Sequence, residues 1–487
     1  MALSHYPPSA APRTVVRARP WWRAAAMAAL LGAAAMAPAR AQPAGALSFG
    51  DAVREAARVS GAVQGAQLDV AAKTLKAQAL ARIDGPSLNL TGFQGRLSTD
   101  LTLDTSQLAG AVGGIEAALP ALPLPRIPNS ISRNFVTNVT SLGLNSVWPL
   151  YTGGRLDAVK GLAAGMRQEA DADRLDLEDK LAGQVAQRYF QLLLAGRVVS
   201  VRGEATAGIA EHLRQAKKLE AGGLISRAER LRADVAFDAA KSEEAQARSE
   251  LEIAQVALNR LLASNSAVHP STPLFVHSAP VGSLQSFIDA GMDGNAAWKK
   301  IDSKREQAKQ SLHLAGHEYS PVVFAVGNYN RNRSSDNLVQ SNWMVGLAIS
   351  VPLVSRIDTG KLIQAAKLEQ ERVEVTARQA GRDIPTLIEK NWRALENARI
   401  QFLSSASSVA LARENIRLQS IAFQQGQGTG LDEIDARLNL AKIETQRAQG
   451  AYTYVMALAQ LLEASGETRR LATLAASADI VFPLDGM

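Results

Sequence analysis

The sequence predicts an α+β membrane protein: a trimeric twelve-stranded β-barrel, four strands per chain, continued by a long α-helical barrel, with an internal two-fold repeat in each chain. Three observations lead there. First, residues 142–156 alternate with a period of two, meet Pro149, cross Gly153 and Gly154 and turn helical, and residues 345–362 repeat that plan. Gly143 matches Gly346, Pro149 matches Pro352 and Leu150 matches Leu353 at one constant offset, which Gly223, Glu229, Leu231 and Ala233 keep against Gly426, Asp432, Ile434 and Ala436. Second, residues 155–221 run proline-free for 67 residues with apolar positions in steps of three and four. An unbroken helix of that length would reach about 100 Å at 1.5 Å per residue, too long for an ordinary globular domain. Third, beyond the N-terminal leader no apolar run approaches the ~18 residues of a membrane-spanning helix. Instead Trp343, Val345, Leu347, Ile349 and Val351 alternate with Met344, Gly346, Ala348 and Ser350, which suits a barrel strand with a lipid side and a small-residue lumen side.

Residues 1–41 fit a secretory leader. Arg13, Arg17, Arg19 and Arg23 precede an apolar run, and Ala39, Arg40 and Ala41 offer a cleavage site, so the mature chain is expected to start at Gln42. Removing the leader's five arginines leaves 48 of the 53 basic residues against 46 acidic ones, a charge of +2 in place of +7. A nucleic-acid partner loses its electrostatic support. The absence of cysteine excludes a disulfide framework, a Cys-ligated metal and a lipidated cysteine.

The first repeat, 42–263, opens with a helix over 47–83, with Ser48 as its cap and Pro86 at its end. A strand at 87–97 and a second at 135–147 form a hairpin around an extended loop, 99–134, rich in glycine and proline. A long helical hairpin, 155–263, turns at Gly222-Gly223. Residues 264–283, with Pro270, Pro273 and Pro280, read as a linker. The second repeat, 284–465, has a helix to about 318, strands at 322–330 and 342–352, and a helical hairpin over 361–464 with a bend expected at Pro385. The tail, 466–487, reads as loosely structured. At the junctions, Pro149 and Pro352 are expected to end strand pairing, and Gly153, Gly154 and Gly360 to let the chain reorient.

Four short strands cannot close a barrel, and an open edge in lipid leaves backbone groups unpaired at several kcal/mol each. Three chains supply twelve strands, so the expected object is a homotrimeric tube. The ordered set of junctions and returns, Gly222-Gly223-Leu224-Ile225-Ser226 and Gly428-Thr429-Gly430-Leu431-Asp432-Glu433-Ile434-Asp435-Ala436, resembles the TolC-like outer membrane efflux and secretion channels. The resemblance covers essentially the whole mature chain. It implies a trimeric barrel in outer membrane lipid, its helices in the periplasm, serving as exit duct for an inner-membrane transporter and a periplasmic adaptor. The tips carrying Gly222, Gly223, Leu224, Ser226, Gly428 and Gly430 would meet that adaptor. Without a lipidation cysteine the chain is similar to the non-acylated branch, which includes type I protein secretion; small-molecule efflux is the alternative. A non-conducting periplasmic coiled-coil scaffold would share the long helices but not the alternating strands.

Asp432 and Asp435 match the family's aspartates at the periplasmic entrance, where a trimer would hold six carboxylates that raise one another's pKa and attract cations. The family's Tyr and Arg at this gate have no counterpart among Gln424, Gln425, Gly426 and Gln427, and pseudo-symmetry offers Arg232 as the latch. His313 and His317 have i, i+4 spacing but no HExxH carboxylate, and residues 426–430 mimic a phosphate loop but follow a helix. Neither is read as a site, and no enzyme, metal or cofactor is expected.

Overall fold

A computed structural model describes residues 46–118, 124–332 and 342–482. The expected leader, 1–41, lies outside the described residues, as do the second strand pair's tip, 333–341, and the last five residues of the tail.

The N-terminal helix is two helices, α1 (Phe49–Val59) and α2 (Gly61–Leu80). Ser60 divides them because one extended residue serves as C-cap to the first and N-cap to the second, its hydroxyl accepting from the Val63 N–H. The helix expected over 284–318 divides in the same way. Asn295 separates α6 (Leu284–Gly294) from α7 (Ala296–Gly316).

Strands β1 (Ser87–Asp104) and β2 (Ser130–Tyr151) are longer than the alternation suggested. The stretch 99–134 is therefore not one extended loop: both strands run into it, and α3 (Ser106–Ala118) caps the ribbon they form. β4 (Val322–Asn332) and β5 (Trp343–Ser350) complete an antiparallel sheet ordered β1-β2-β4-β5, whose outer edges on β1 and β5 have no strand partner among the described residues. Pro149 does not end the ladder. It sits inside β2 opposite Phe324, at a register shift before Tyr151, while β1 pairing has already stopped at Val147. The missing N–H of proline is tolerated there as a bulge on a free edge. Pro352 lies two residues beyond β5.

Two helical hairpins follow. α4 (Arg155–Ala221) has 67 residues and returns as α5 (Arg227–Leu261), with 35. α8 (Thr359–Gln424) has 66 and returns as α9 (Gly430–Ala464), again with 35. Pro385 lies inside α8 without terminating it. On α5 the buried positions Ala233, Ala240, Ala247 and Ala254 recur every seven residues, and on α9 so do Ile434, Ala441, Ala448, Val455 and Leu462. A seven-residue repeat gives a coiled-coil seam, and alanine in it lets α5 lie close against α4.

The main core sits midway along these helices, where Phe49, Tyr189, Phe190, Phe275 and Tyr454 form a chain of edge-on and tilted ring contacts. The Tyr189 hydroxyl donates to the Leu47 carbonyl at 2.7 Å and accepts from the Thr272 N–H at 2.8 Å. The linker is thus part of the core: β3 (Phe275–Val276) is fully buried. The described part of the tail is structured too. α10 (Arg470–Ala476) buries Leu471 and Ala475, and β6 (Ile480–Val481) pairs with β3. Hydrophobic burial of the linker demanded a covering strand that polar composition alone did not announce.

Candidate functional site

Cross-strand register sorts the sheet into two faces. Residues directly opposite each other share a face, so Leu88 and Leu90 on β1, Leu142, Leu144 and Trp148 on β2, Tyr329 on β4, and Trp343, Val345, Leu347 and Ile349 on β5 lie on one side. These side chains are exposed, Val345 by 74% and Leu347 by 71%. The other side carries a polar ladder across three strands. Asn330 Nδ2 donates to Asn328 Oδ1 at 2.6 Å, Asn328 to Asn145, and Asn145 Nδ2 to Thr91 Oγ1 at 3.0 Å. Gly143 keeps this row open, since a Cβ there would stand 2.6 Å from Asn330 Oδ1. An apolar face backed by a face with a polar row, on one sheet whose outer edges have no strand partner among the described residues, is what a segment of barrel wall requires.

The two strand-to-helix junctions differ in chemistry. Gly153 and Gly154 have φ of +62° and +81°, conformations that glycine adopts without penalty. A Cβ at Gly153 would come within 2.2 Å of Ser320 Cβ, and one at Gly154 within 2.7 Å of His313 Cε1. The residues just before β4 therefore pack directly onto the start of α4, and Arg155 reaches Glu318 at 3.3 Å. His313 stacks on His317 at 4.1 Å, and His317 Nδ1 donates to the His313 carbonyl at 2.7 Å, so the i, i+4 pair builds this joint. Gly360 departs from expectation. It lies inside α8 without a left-handed backbone, and Asp358 caps that helix through the Lys361 N–H.

At the opposite ends the two returns are built alike. Gly223 (φ +74°) and Gly426 (φ +70°) each follow a helix C-cap, and the next residue's N–H reaches back five residues, Leu224 to Leu219 and Gln427 to Ala422, at 2.8 Å in both. Ser226 and Thr429 are the N-caps of the returning helices and receive the N–H groups of Glu229 and Asp432. Gly222 is the C-cap of α4, and Leu224 stands 74% exposed. Gly428 closes against Ala422, where a Cβ would stand 3.2 Å from the alanine methyl. A cleft of about 600 Å³ lies between the tips, lined by Gln215, Lys218, Leu224, Glu229, Phe423 and Gln425.

Asp432 serves its own helix. Its carboxylate accepts from the Thr429 hydroxyl at 2.7 Å and N–H at 3.1 Å, completing a capping box, and these bonds hold its pKa below the usual value. Asp435 and Arg232 are exposed, and among the described residues no ion pair joins them. The structure places the three expected gate residues near the tips without bringing Arg232 and Asp435 together.

It brings together instead a group that sequence reasoning missed. Glu433, 3% exposed, accepts from His212 Nδ1 at 3.1 Å, Ser420 Oγ at 2.7 Å, and Arg437 Nη2 and Nε at 2.6 and 3.1 Å. Burial alone would raise this carboxyl, but the hydrogen bonds from His212, Ser420 and Arg437, with the Arg437 charge, outweigh it and lower the pKa to about 2. His212 is buried as well, lies against Phe423 at 4.6 Å, and would meet a Cβ on Gly430 at 2.8 Å. Gly430 N–H also approaches Glu229 Oε1 at 3.4 Å. Three helices, α4, α8 and α9, are thereby locked through one carboxylate. Its sequence signal was slight: an i, i+4 Glu433–Arg437 pair, with the histidine more than two hundred residues away.

Residues 52–264 match the family described as Outer membrane efflux protein. The chain is 24% identical over 345 residues to the outer membrane protein TolC of Vibrio cholerae, covering 68% of this chain and 77% of that protein. It is 22% identical over 344 residues to the cobalt-zinc-cadmium resistance protein CzcC of Cupriavidus metallidurans, covering 70% and 80%. Its fold is similar to the open-state structure of the Neisseria gonorrhoeae MtrE outer membrane channel, with a TM-score of 0.67 at 18% identity over 86% of this chain and 89% of that one.

Proposed function

This chain belongs to the TolC-like outer membrane efflux protein family, and from that premise we propose that three copies close a twelve-stranded barrel and form the passive exit duct of a tripartite export system. It is a protein of the outer membrane with its helices in the periplasm. The observation that carries the trimer is the four-stranded sheet: it is apolar on one face, carries a row of asparagine and threonine on the other, has no strand partner at either outer edge among the described residues, and leads into two helices of 67 and 66 residues. Edge β1 of one copy would pair with edge β5 of the next, which satisfies every backbone group in lipid. An inner-membrane transporter and a periplasmic adaptor would deliver cargo, the adaptor meeting the tips at Gly222, Gly223, Leu224, Ser226, Gly428 and Gly430. We assign no catalytic role and no cofactor.

In this reading Asp432 and Asp435 ring the periplasmic entrance. Arg232 and Asp435, exposed and without an ion pair to each other among the described residues of one chain, would be available to each other across a subunit boundary, with Arg232 as latch. Unchanged conductance and closed fraction in Arg232→Ala would remove it from the gate. For cargo we favour protein delivered by a type I system, as in the non-acylated branch, a preference that rests on the cysteine-free composition. Small-solute efflux is the second reading, favoured by the similarity to a metal-resistance protein. Deleting the gene and measuring both secreted protein and sensitivity to drugs and divalent metals separates the two. Purified protein should form pores in planar bilayers; a trimer that never conducts would instead indicate a periplasmic scaffold.

A further inference from the structure

The β1–β2 ribbon outruns the rest of the sheet. β2 pairs with β4 only as far as Ser141–Asn332, whereas its pairing with β1 continues to Ser130–Asp104. Residues 130–140 have β1 as their only strand partner among the described residues, and at about 3.4 Å per residue they stand about 35 Å past the last β4 pair. This end points away from the long helices, which leave the sheet from the opposite end of β2.

Along the ribbon the polarity of the two faces inverts. In the four-stranded part, Asn89 and Thr91 of β1 are on the polar face and Leu88 and Leu90 on the apolar face. The register runs on without a shift, so Leu101, Leu103 and Ile131 continue the row of Asn89 and Thr91, while Ser98, Asp100, Thr102, Asp104, Ser132 and Asn134 continue the row of Leu88 and Leu90. Asn134 Nδ2 bonds Asp100 Oδ1 at 2.6 Å and Ser98 Oγ at 3.1 Å, which places the polar groups together. Phe93 marks the change, its ring lying across Gly95, where a Cβ would be 2.6 Å from the ring. Leu101 and Leu103 are 52% and 57% exposed; Arg133 shares their row and is itself engaged. At the top α3 has no buried residue, exposes Leu108 and Ile115, and holds one charge, Glu116, in 13 residues.

We propose that this apolar row and α3 pack against the same surfaces of the other two copies, so that three ribbons meet over the lumen and close the outer mouth of the channel. The proposal rests on the trimeric barrel reading. A two-stranded ribbon alone is marginal in water, and an exposed apolar row needs a cover. Lipid is the wrong occupant: above the four-stranded wall the row belonging to the lipid side is the polar one. What remains on the lumen side is the equivalent row of the neighbours, brought close by the ring itself.

The absence of cysteine allows a direct test. Leu103→Cys and, on the opposite row, Thr102→Cys are oxidised as single variants in outer membranes and run on non-reducing gels. A disulfide requires Cα atoms within about 7 Å, so Leu103→Cys should give a reducible dimer at a yield at least about fivefold above Thr102→Cys. The double variant Leu101→Asp, Leu103→Asp should keep its trimer mass in detergent and raise single-channel conductance severalfold. Equal yields at the two positions, or unchanged conductance from an intact trimer, overturns the closure while leaving the barrel reading standing. Loss of the trimer in the unmodified protein overturns both.

Discussion

The side chains with the largest leverage are small or singular. Gly153→Ala forces a side chain into a left-handed backbone, which costs about 1–2 kcal/mol by conformation alone, and then sets a methyl 2.2 Å from Ser320. The expected result is a clear drop in thermal unfolding temperature. Gly316→Ala, at the end of α7 with nothing within 4 Å of its Cβ position, should be neutral or slightly stabilising. Glu433 carries a pH dependence whose sign follows from its lowered pKa. Its stabilisation is fully present above the ordinary value of 4.5 and is lost as pH falls through about 2. A shift of that size in a buried group is worth on the order of 3 kcal/mol, so Glu433→Gln should remove a comparable part of the acid sensitivity. Acid titrations of thermal stability with both proteins measure it. A variant curve that tracks the parent through this window would mean that the clamp is not the acid-labile element.

At the scale of elements, the sheet's two faces should respond oppositely to charge. Leu347→Arg on the apolar face should cost about 2–4 kcal/mol, the penalty for arginine near the middle of a bilayer, and reduce assembled protein in the outer membrane. Ala348→Arg, one residue on, should assemble and shift ion selectivity toward anions in planar bilayers. Equal assembly of the two variants would reject the assignment of faces. That assignment was legible in β5, where strict alternation set Trp343 to Ile349 against Gly346 and Ala348. The hairpin returns were legible too, because Gly223 and Gly426 precede Ser226 and Thr429 at matched spacing. The ribbon was not. Leu101 and Leu103 do alternate with Asp100, Thr102 and Asp104, but the glycines and prolines after them looked like loop, and nothing local shows that β2 returns to pair with so long a stretch.

For the molecule as a whole, the linker and the tail act as one fastening of the two halves. Phe275 sits among Phe190, His277 and Tyr454, and its strand pairs with residues that close the chain. Phe275→Ala should cost about 3–5 kcal/mol, the usual range for a buried phenylalanine. The loss should appear as a lower unfolding temperature in detergent with the pore conductance of surviving trimers unchanged. Truncating the chain after residue 469 should produce much the same loss, since it removes both α10 and the β6 cover. A truncated protein as heat-stable as the full chain would show that the fastening lies elsewhere.

The sequence by itself determined the periods, two in the strands and three and four in the helices, and one constant offset between the matched strand ends and returns. These are local rules of backbone geometry, and each residue carries its share of them wherever the chain goes. Only the tertiary structure decided which distant groups meet. It set His212 against Glu433, Tyr189 between the first helix and the linker, and the tail over Phe275. It also left Arg232 and Asp435 without an ion pair to each other among the described residues, and set the apolar row of the β1–β2 ribbon on the same side as Asn89 and Thr91. Those choices are made by packing between segments hundreds of residues apart, where burial and hydrogen-bond satisfaction are settled jointly and no periodicity records the outcome.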